Sequence, residues 1–80
     1  MTISQAVVKR LYELCAQRNI TINKVSIISG VTQSTVSDIV NGRTNNAGGA
    51  TIQKLCDGLE ISIREFFDSD LFDNLDQEVK

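Results

Sequence analysis

The feature that most constrains the fold is a pair of short apolar patterns, within residues 22–41, on either side of one glycine. Both patterns have the three- and four-residue spacing of an amphipathic helix, with Ile22, Val25 and Ile28 in the first and Val36, Ile39 and Val40 in the second. Gly30 stands between them, where a chain leaving a helix often needs a positive φ angle. Thr32 follows as an N-cap for the second helix. Two helices joined by such a short, glycine-containing turn predict a helix-turn-helix.

Several pieces of the chain match one known family in the right order. The small, glycine and apolar positions of its helix-turn-helix are filled here by Ser26, Gly30, Val36 and Ile39. The later matching segments are residues 41–43, 50–55 and 61–67. The chain therefore resembles the Cro and lambda-repressor type of regulator, the XRE family, over about residues 3–68. This resemblance implies an all-α, five-helix lambda-repressor-like DNA-binding domain at residues 1–68, followed by a short acidic C-terminal tail at residues 69–80.

Length and composition favour one small, all-helical domain. Eighty residues form a single domain, the chain contains no Pro, and its apolar residues fall mostly at helical spacing. No apolar run approaches the roughly 20 residues that cross a bilayer. The N-terminus also lacks the basic region and long apolar stretch of a secretory signal. We therefore expect a cytoplasmic protein that does not associate with membranes.

The net charge of −2 conceals two halves of opposite sign. Residues 1–56 carry six basic and two acidic side chains, which gives +4, whereas residues 57–80 carry two basic and eight acidic ones, which gives −6. The distribution of charge matters more than its total for attracting a polyanion. Because the positive half contains the helix-turn-helix, the pattern favours double-stranded DNA as the partner.

Nothing in the sequence indicates catalysis or a cofactor. The chain has two cysteines, Cys15 and Cys56, and no His. A zinc site would need more ligands, and a catalytic Cys would lack its usual His partner. We therefore expect both cysteines to be small buried helix residues, with no disulfide in a reducing cytosol. The sequence predicts no catalytic residue, no metal and no enzyme activity.

Capping and periodicity signals place five helices. Helix one should run from about Ser4 to Arg18, capped by Thr2 or Ser4, with Ile3 in its buried stripe and Arg10 on its wet side. Helix two should begin after a capping Thr21, and helix three should run from Gln33 to Asn41. Helix four should run from about Ala50 to Leu59. Helix five should run from a capping box at Ser62 to about Asp68.

The third helix is the candidate reader of DNA. An α-helix fits the major groove, where base edges carry a distinct hydrogen-bonding code, and the N-terminal residues of such a helix meet the bases. Gln33 could pair with adenine, and Asp38 could accept from a cytosine amine although it also repels phosphate. The predicted DNA-binding residues are Lys24, Thr32, Gln33, Ser34, Thr35, Ser37, Asp38, Asn41, Arg43 and Thr44. The alternative is an ordinary solvated helix face, with Lys24 and Arg43 serving solubility.

Large apolar side chains are frequent near the C-terminus. We predict a homodimer interface formed by Phe66, Phe67, Leu71, Phe72 and Leu75, the last three of which have helical spacing within the acidic tail. The alternative is that these residues fold into the core of the same chain, which we expect for at least one of Phe66 and Phe67. The acidic C-terminus could also hold a protein partner.

The leading interpretation is a small regulator that binds a palindromic operator in duplex DNA as a dimer. Repression is favoured over activation, because nothing beyond the DNA-binding domain is evident that could sense a ligand. The alternative is a protein-interaction module, such as an antitoxin-type helix-turn-helix protein.

Overall fold

The computed structural model describes residues 1–43 and 48–77, in which the elements longer than one residue are helices. The elements are α1 (Ile3–Arg18), α2 (Ile22–Ser29), α3 (Gln33–Val40), α4 (Gly49–Leu59), α5 (Ile63–Phe66) and a 3₁₀ turn, η1 (Asp70–Phe72). The number and order of the five α-helices confirm the predicted all-α architecture. None of the described helices combines the length and apolar character needed to span a bilayer.

Side-chain caps begin four of the helices, as the residue types predict. Thr2 forms a complete capping box with Gln5 at the start of α1. Thr21, Thr32 and Ser62 each accept a hydrogen bond from the backbone N–H three residues later. By contrast, α4 begins at Gly48 without a side-chain cap. The sequence defines the starts of all five helices within about one residue, including that of α4, which lacks a side-chain cap.

Left-handed residues end three of the helices. Asn19 ends α1 with φ 55° and Gly30 ends α2 with φ 72°. Glu60 takes the same conformation after α4, with φ 59°. An L side chain in this region is uncommon, so the turn before α5 is held by its surroundings rather than by the preference of Glu60.

The core forms where the apolar stripes of α1 to α5 meet. Its buried members are Val7, Leu11, Leu14, Cys15, Val25, Val31, Val36, Ile39, Ile52, Leu55, Cys56, Leu59, Ile61 and Phe66. The predicted burial of both cysteines is confirmed. Two assignments on α1 are wrong, since Ile3 is exposed and Arg10 is buried. Ile28, predicted on the apolar face of α2, is also partly open to solvent.

Arg10 is buried because α5 ends beside it. Its Nε donates to the carbonyl of Phe66 at 2.6 Å, and its Nη2 donates to the carbonyl of Glu65 at 2.7 Å. Its Nη1 pairs with Glu13 at 2.6 Å. The guanidinium thus satisfies carbonyls at the C-terminal end of a helix, where unpaired acceptors and the helix dipole favour a cation. This network fixes α5 to α1.

The most extensive helix–helix packing joins α2 and α4. Gly58 permits it, because a Cβ atom there would lie 2.7 Å from the Cα of Ser29 and 2.8 Å from the carbonyl oxygen of Ile28. Those are backbone atoms, which cannot move aside cheaply. Gly58 lowers the helix propensity of α4, but the close approach of the α2 backbone requires a residue without a Cβ atom at this position.

The chain after α5 folds back against its own N-terminal helix rather than continuing as a helix. Helix α5 ends at Phe66, earlier than the predicted Asp68, and η1 packs on α1. The Phe72 ring lies 4.8 Å from the Phe67 ring and 6.3 Å from the Phe66 ring, measured between centroids. The apolar residues after Ser69 have helical spacing, but the structure forms only a single 3₁₀ turn there. That turn is sufficient to bring the Phe72 ring against Phe66 and Phe67.

The two ends of the described chain meet. The N-terminal amine of Met1 contacts the carboxylate of Asp76 at 2.9 Å, and the backbone N–H of Asp76 donates to the carbonyl of Met1 at 2.9 Å. An isolated parallel bridge links Thr2 with Asp76. Part of the predicted acidic tail is therefore tied to the domain that precedes it.

Candidate nucleic-acid interface

The turn between α2 and α3 is fixed by short hydrogen bonds. The buried Ser26 hydroxyl donates to the carbonyl of Val31 at 2.6 Å, and the Ser29 hydroxyl donates to the carbonyl of Val25 at 2.6 Å. Gly30 supplies the positive φ angle between them. Small Ser26 both fits between the helices and satisfies a turn carbonyl. These contacts fix the direction in which α3 leaves α2.

Helix α3 is amphipathic and presents its polar side outward. Val36 and Ile39 are buried, whereas Gln33, Ser34 and Thr35 at its N-terminal end are exposed. Ser37 and Asp38 are half-buried one turn later. The predicted reading face is therefore a surface of this structure, which makes base contacts physically possible at these positions.

A hydrogen-bonded cluster forms at the C-terminal end of α3. Arg43 donates from Nε to the Asp38 carboxylate at 2.8 Å and from Nη2 to the Ser37 hydroxyl at 2.6 Å. Asn41 also donates to the Ser37 hydroxyl, at 3.1 Å. The sequence placed these four residues in the site separately; the structure joins them. We refer to them, Ser37, Asp38, Asn41 and Arg43, as the α3 cluster.

An open cavity of about 240 Å³ lies beside this face. Its polar lining comes from Gln33 and Ser37 of α3, from Asn41 at the C-cap of α3, from Tyr12 of α1 and from Asn23 of α2. The lining combines amide and hydroxyl groups with apolar carbon. Tyr12 and Asn23 were not predicted; only their places on α1 and at the start of α2 could have suggested them.

The positive charge of the first 56 residues is carried by fewer groups than the sequence suggests. Arg10 is buried and paired with Glu13, which stays exposed, and Arg43 is paired with Asp38. Lys24 is exposed near the N-terminus of α2, as predicted for a phosphate contact. The last predicted contact, Thr44, lies outside the described residues.

The predicted dimer residues differ in how much surface they offer. Phe66 is completely buried in the core of its own chain, so it cannot contact a second copy, and its assignment to the interface is wrong. Phe67, Leu71, Phe72 and Leu75 are half-buried. Ile63, which was not in the predicted set, is 48% exposed on α5.

The cysteines show the properties of structural residues. Both are free and buried. Burial raises the pKa of the Cys15 thiol, with Arg18 acting in the opposite direction. Burial and the nearby Asp57 carboxylate both raise the pKa of the Cys56 thiol. Raised pKa values keep the thiols protonated and unreactive at neutral pH. Among the described residues, no group of three or more His, Cys, Asp or Glu could hold a metal ion.

Known proteins resemble the chain in sequence and in fold. Over 53 residues it is 36% identical to an uncharacterized HTH-type transcriptional regulator, RghRB, of Bacillus subtilis (strain 168). That alignment covers 66% of this chain but only 38% of the relative's length. The crystal structure of the prophage Lp1 protein 11 superposes with a TM-score of 0.79 at 40% identity, covering 86% of this chain and 91% of the other.

The match to a family model identifies the domain. Residues 10–70 match the model of the Cro/C1-type HTH DNA-binding domain. This span includes the helix-turn-helix, the α3 cluster and the end of α5. Together with the superposition, it confirms the lambda-repressor-like fold, and it agrees with the expectation of a DNA-binding regulator rather than an enzyme. The chain belongs to the Cro/C1-type helix-turn-helix family of DNA-binding transcriptional regulators.

Proposed function

We propose that the chain acts in the cytoplasm as a repressor, binding a palindromic operator in duplex DNA as a homodimer. The observation that carries the proposal is the exposed N-terminal end of α3, where Gln33, Ser34 and Thr35 stand outward over a buried Val36 and Ile39. That is the end of the helix that meets base edges in such motifs. Occupation of a promoter by this domain is sufficient for repression.

In the proposed complex, α3 lies in the major groove and different residues have different tasks. Gln33 reads adenine through two hydrogen bonds, and Ser34 supplies an adaptable donor and acceptor. The N-termini of α2 and α3 direct unpaired N–H groups and the positive ends of their dipoles toward phosphates. Lys24 and Arg43 add positive charge to this contact with the DNA phosphates. Thr44 remains a predicted backbone contact.

Dimerisation is proposed through α5 and the following residues. Ile63 is a large apolar side chain that is half exposed, and Phe67, Leu71, Phe72 and Leu75 are each partly exposed. A two-fold contact would bury the same patch on both copies. Two α3 helices would then enter successive major grooves on one side of the duplex, about 34 Å apart.

The experiment is a selection from a random-sequence duplex library with the wild-type protein. The proposal expects a two-fold symmetric sequence to be enriched. Gln33→Ala should then lose about 1–3 kcal/mol of binding free energy on the enriched duplex and little on a scrambled one. Equal losses on both duplexes would assign Gln33 to the backbone, and enrichment of no sequence would contradict specific DNA recognition.

The dimer is tested at Ile63 rather than within the aromatic cluster. Phe72 packs against two other rings, so a charge there would unfold this end of the chain. Ile63→Asp should give a folded monomer, judged by circular dichroism and sedimentation, with weaker binding to the enriched duplex. The control is Ile3→Asp, another exposed Ile, on α1. A wild type that sediments as a monomer at about 50 μM, roughly where a weak dimer forms, would refute the proposed dimer.

The acidic C-terminus as a site for a protein partner stays a separate proposal. Its support is the charge of −6 on residues 57–80. One of those acidic groups, Asp76, is already paired with the N-terminal amine of the same chain. A partner that used it would have to compete with that contact.

A further inference from the structure

The α3 cluster holds an acidic residue on the surface that is proposed to face DNA. Asp38 is 45% exposed. It lies one helical turn after Ser34, which is proposed to contact bases. An unpaired carboxylate there would repel phosphate at every DNA sequence. Its pairing with Arg43 suggests that the two residues act together.

Arg43 is positioned by Asp38 in two ways. The backbone N–H of Arg43 donates to the carbonyl of Asp38 at 2.9 Å, after Gly42 turns the chain with φ 71°. The Asp38 carboxylate then receives Nε, while the Ser37 hydroxyl receives Nη2. A guanidinium has five N–H donors, so these two bonds leave three for another acceptor. The ion pair therefore orients Arg43 without using all of its donors.

The pair affects random and specific DNA differently. An exposed ion pair is weak, so a phosphate can displace the carboxylate from Arg43. A protein sliding on random duplex gains little from Arg43, because it must either break the pair or bring the carboxylate close to phosphates. On the correct sequence, base contacts would hold α3 where the three remaining donors reach phosphate while the carboxylate stays paired and away from it. Discrimination then comes from a repulsive element aimed at wrong sites.

We propose that Asp38 is a specificity-determining residue, which holds Arg43 against α3 and thereby weakens binding to non-cognate DNA more than binding to the cognate site. This inference rests on the proposed function. It assigns Asp38 the role of a positioning residue rather than of a reader of cytosine.

The test compares Asp38→Asn with wild type on two probes, the duplex enriched by the selection and a scrambled duplex of the same composition. The expected result is binding to the scrambled duplex that is tighter by about two- to five-fold, the range for opening an exposed ion pair. Affinity for the enriched duplex should stay unchanged or fall, so the ratio of the two affinities decreases. The salt dependence on scrambled DNA should become steeper, as Arg43 contacts a phosphate.

Two further variants make the result specific to the pair. Asp57→Asn removes one negative charge from α4, and it should leave the affinity ratio unchanged. Asp38→Asn introduced together with Arg43→Ala should have no further effect on the ratio relative to Arg43→Ala alone, because the positioned group is absent.

Three results would overturn the inference. Equal tightening on both probes would mean a general charge effect. A loss of discrimination that persists without Arg43 would mean that Asp38 contacts a base directly. An unchanged ratio would remove Asp38 from recognition. A wild type that enriches no sequence would instead refute the proposed function, before any variant is compared.

Discussion

At the scale of single residues, Arg10 shows how a charged side chain can hold this fold together. It is 7% exposed and bonds to two backbone carbonyls of α5 and to Glu13. Hydrogen bonds from a charged donor are worth more than neutral ones, and a buried acceptor left without a partner is costly. Arg10 therefore stabilises the chain through α5, although it belongs to the half that was expected to attract DNA.

Arg10→Ala should lower the free energy of unfolding by about 3 kcal/mol, because the carbonyls of Glu65 and Phe66 lose their charged donor. The Glu65 carbonyl would keep its backbone bond from the Asp68 N–H. Arg10→Lys should recover only part of that loss, since an ammonium cannot reproduce the planar geometry of the guanidinium. Urea unfolding would measure both. Lys9→Ala, at the neighbouring exposed position, is the control and should stay within about 0.5 kcal/mol of wild type. A similar result for Arg10→Ala would contradict the role given to this network.

Sequence reasoning misplaced Arg10 for a physical reason. Periodicity assigns a charged residue to the solvent side of a helix, and on α1 alone that assignment is sensible. The burial of Arg10 depends on acceptors at residues 65 and 66, which approach α1 only in the folded chain. The same limit applies to the site. The sequence identified Asp38 as an outward residue of the third helix and Arg43 as a residue after that helix, but their pairing required the turn at Gly42.

At the scale of elements, the contact between α2 and α4 determines how the helix-turn-helix is supported. Local signals predicted both helices well, since caps and apolar spacing depend on neighbouring residues only. The closeness of the two helices was not predictable from those signals. Gly58 appeared only as a residue that weakens α4, whereas the structure places the backbone of Ser29 against it.

Gly58→Ala separates these two effects. Helix propensity alone would stabilise α4 by about 1 kcal/mol, but the added Cβ would overlap backbone atoms of α2, and forcing extra atoms into a packed contact costs about 1–3 kcal/mol. We expect net destabilisation in urea unfolding. Gly49→Ala is the matched control, because no neighbouring atom lies within 4 Å of its added Cβ. It should leave stability unchanged or raised, and stabilisation by Gly58→Ala would show that α2 can move away.

At the scale of the whole molecule, the first and last described segments form one junction. The N-terminal amine holds the pKa of the Asp76 carboxyl below its ordinary value, through a hydrogen bond and its positive charge. A carboxyl whose pKa is lowered by folding contributes stability above its unfolded pKa, and that contribution disappears as the pH falls through the folded value. The sequence predicted the tail as a separate acidic extension. The contact that ties it to the domain joins residues 75 positions apart, and local sequence patterns do not reveal such a contact.

Asp76→Asn should therefore be less stable than wild type at pH 7, and the difference should shrink below about pH 4, the ordinary pKa of an Asp side chain, and vanish below the lowered pKa of Asp76. Urea unfolding at pH 7 and in a series of more acidic buffers would show the change. Asp73→Asn, an exposed neighbour in the same segment, is the control and should show no such convergence. A difference that persists at low pH would mean that the carboxylate charge does not stabilise the junction.

The junction also has a consequence for synthesis on the ribosome. Residue 76 is made 66 positions after Arg10, which at cellular elongation rates corresponds to a delay of roughly 3 to 13 seconds. Until residue 66 is made, 56 positions after Arg10, α1 lacks the carbonyls that receive Arg10. Until residue 76 is made, it also lacks the carboxylate that receives the N-terminal amine. The speed of translation therefore sets a lower limit on the interval during which this end of the nascent chain is open to chaperones, and the time needed for folding adds to it.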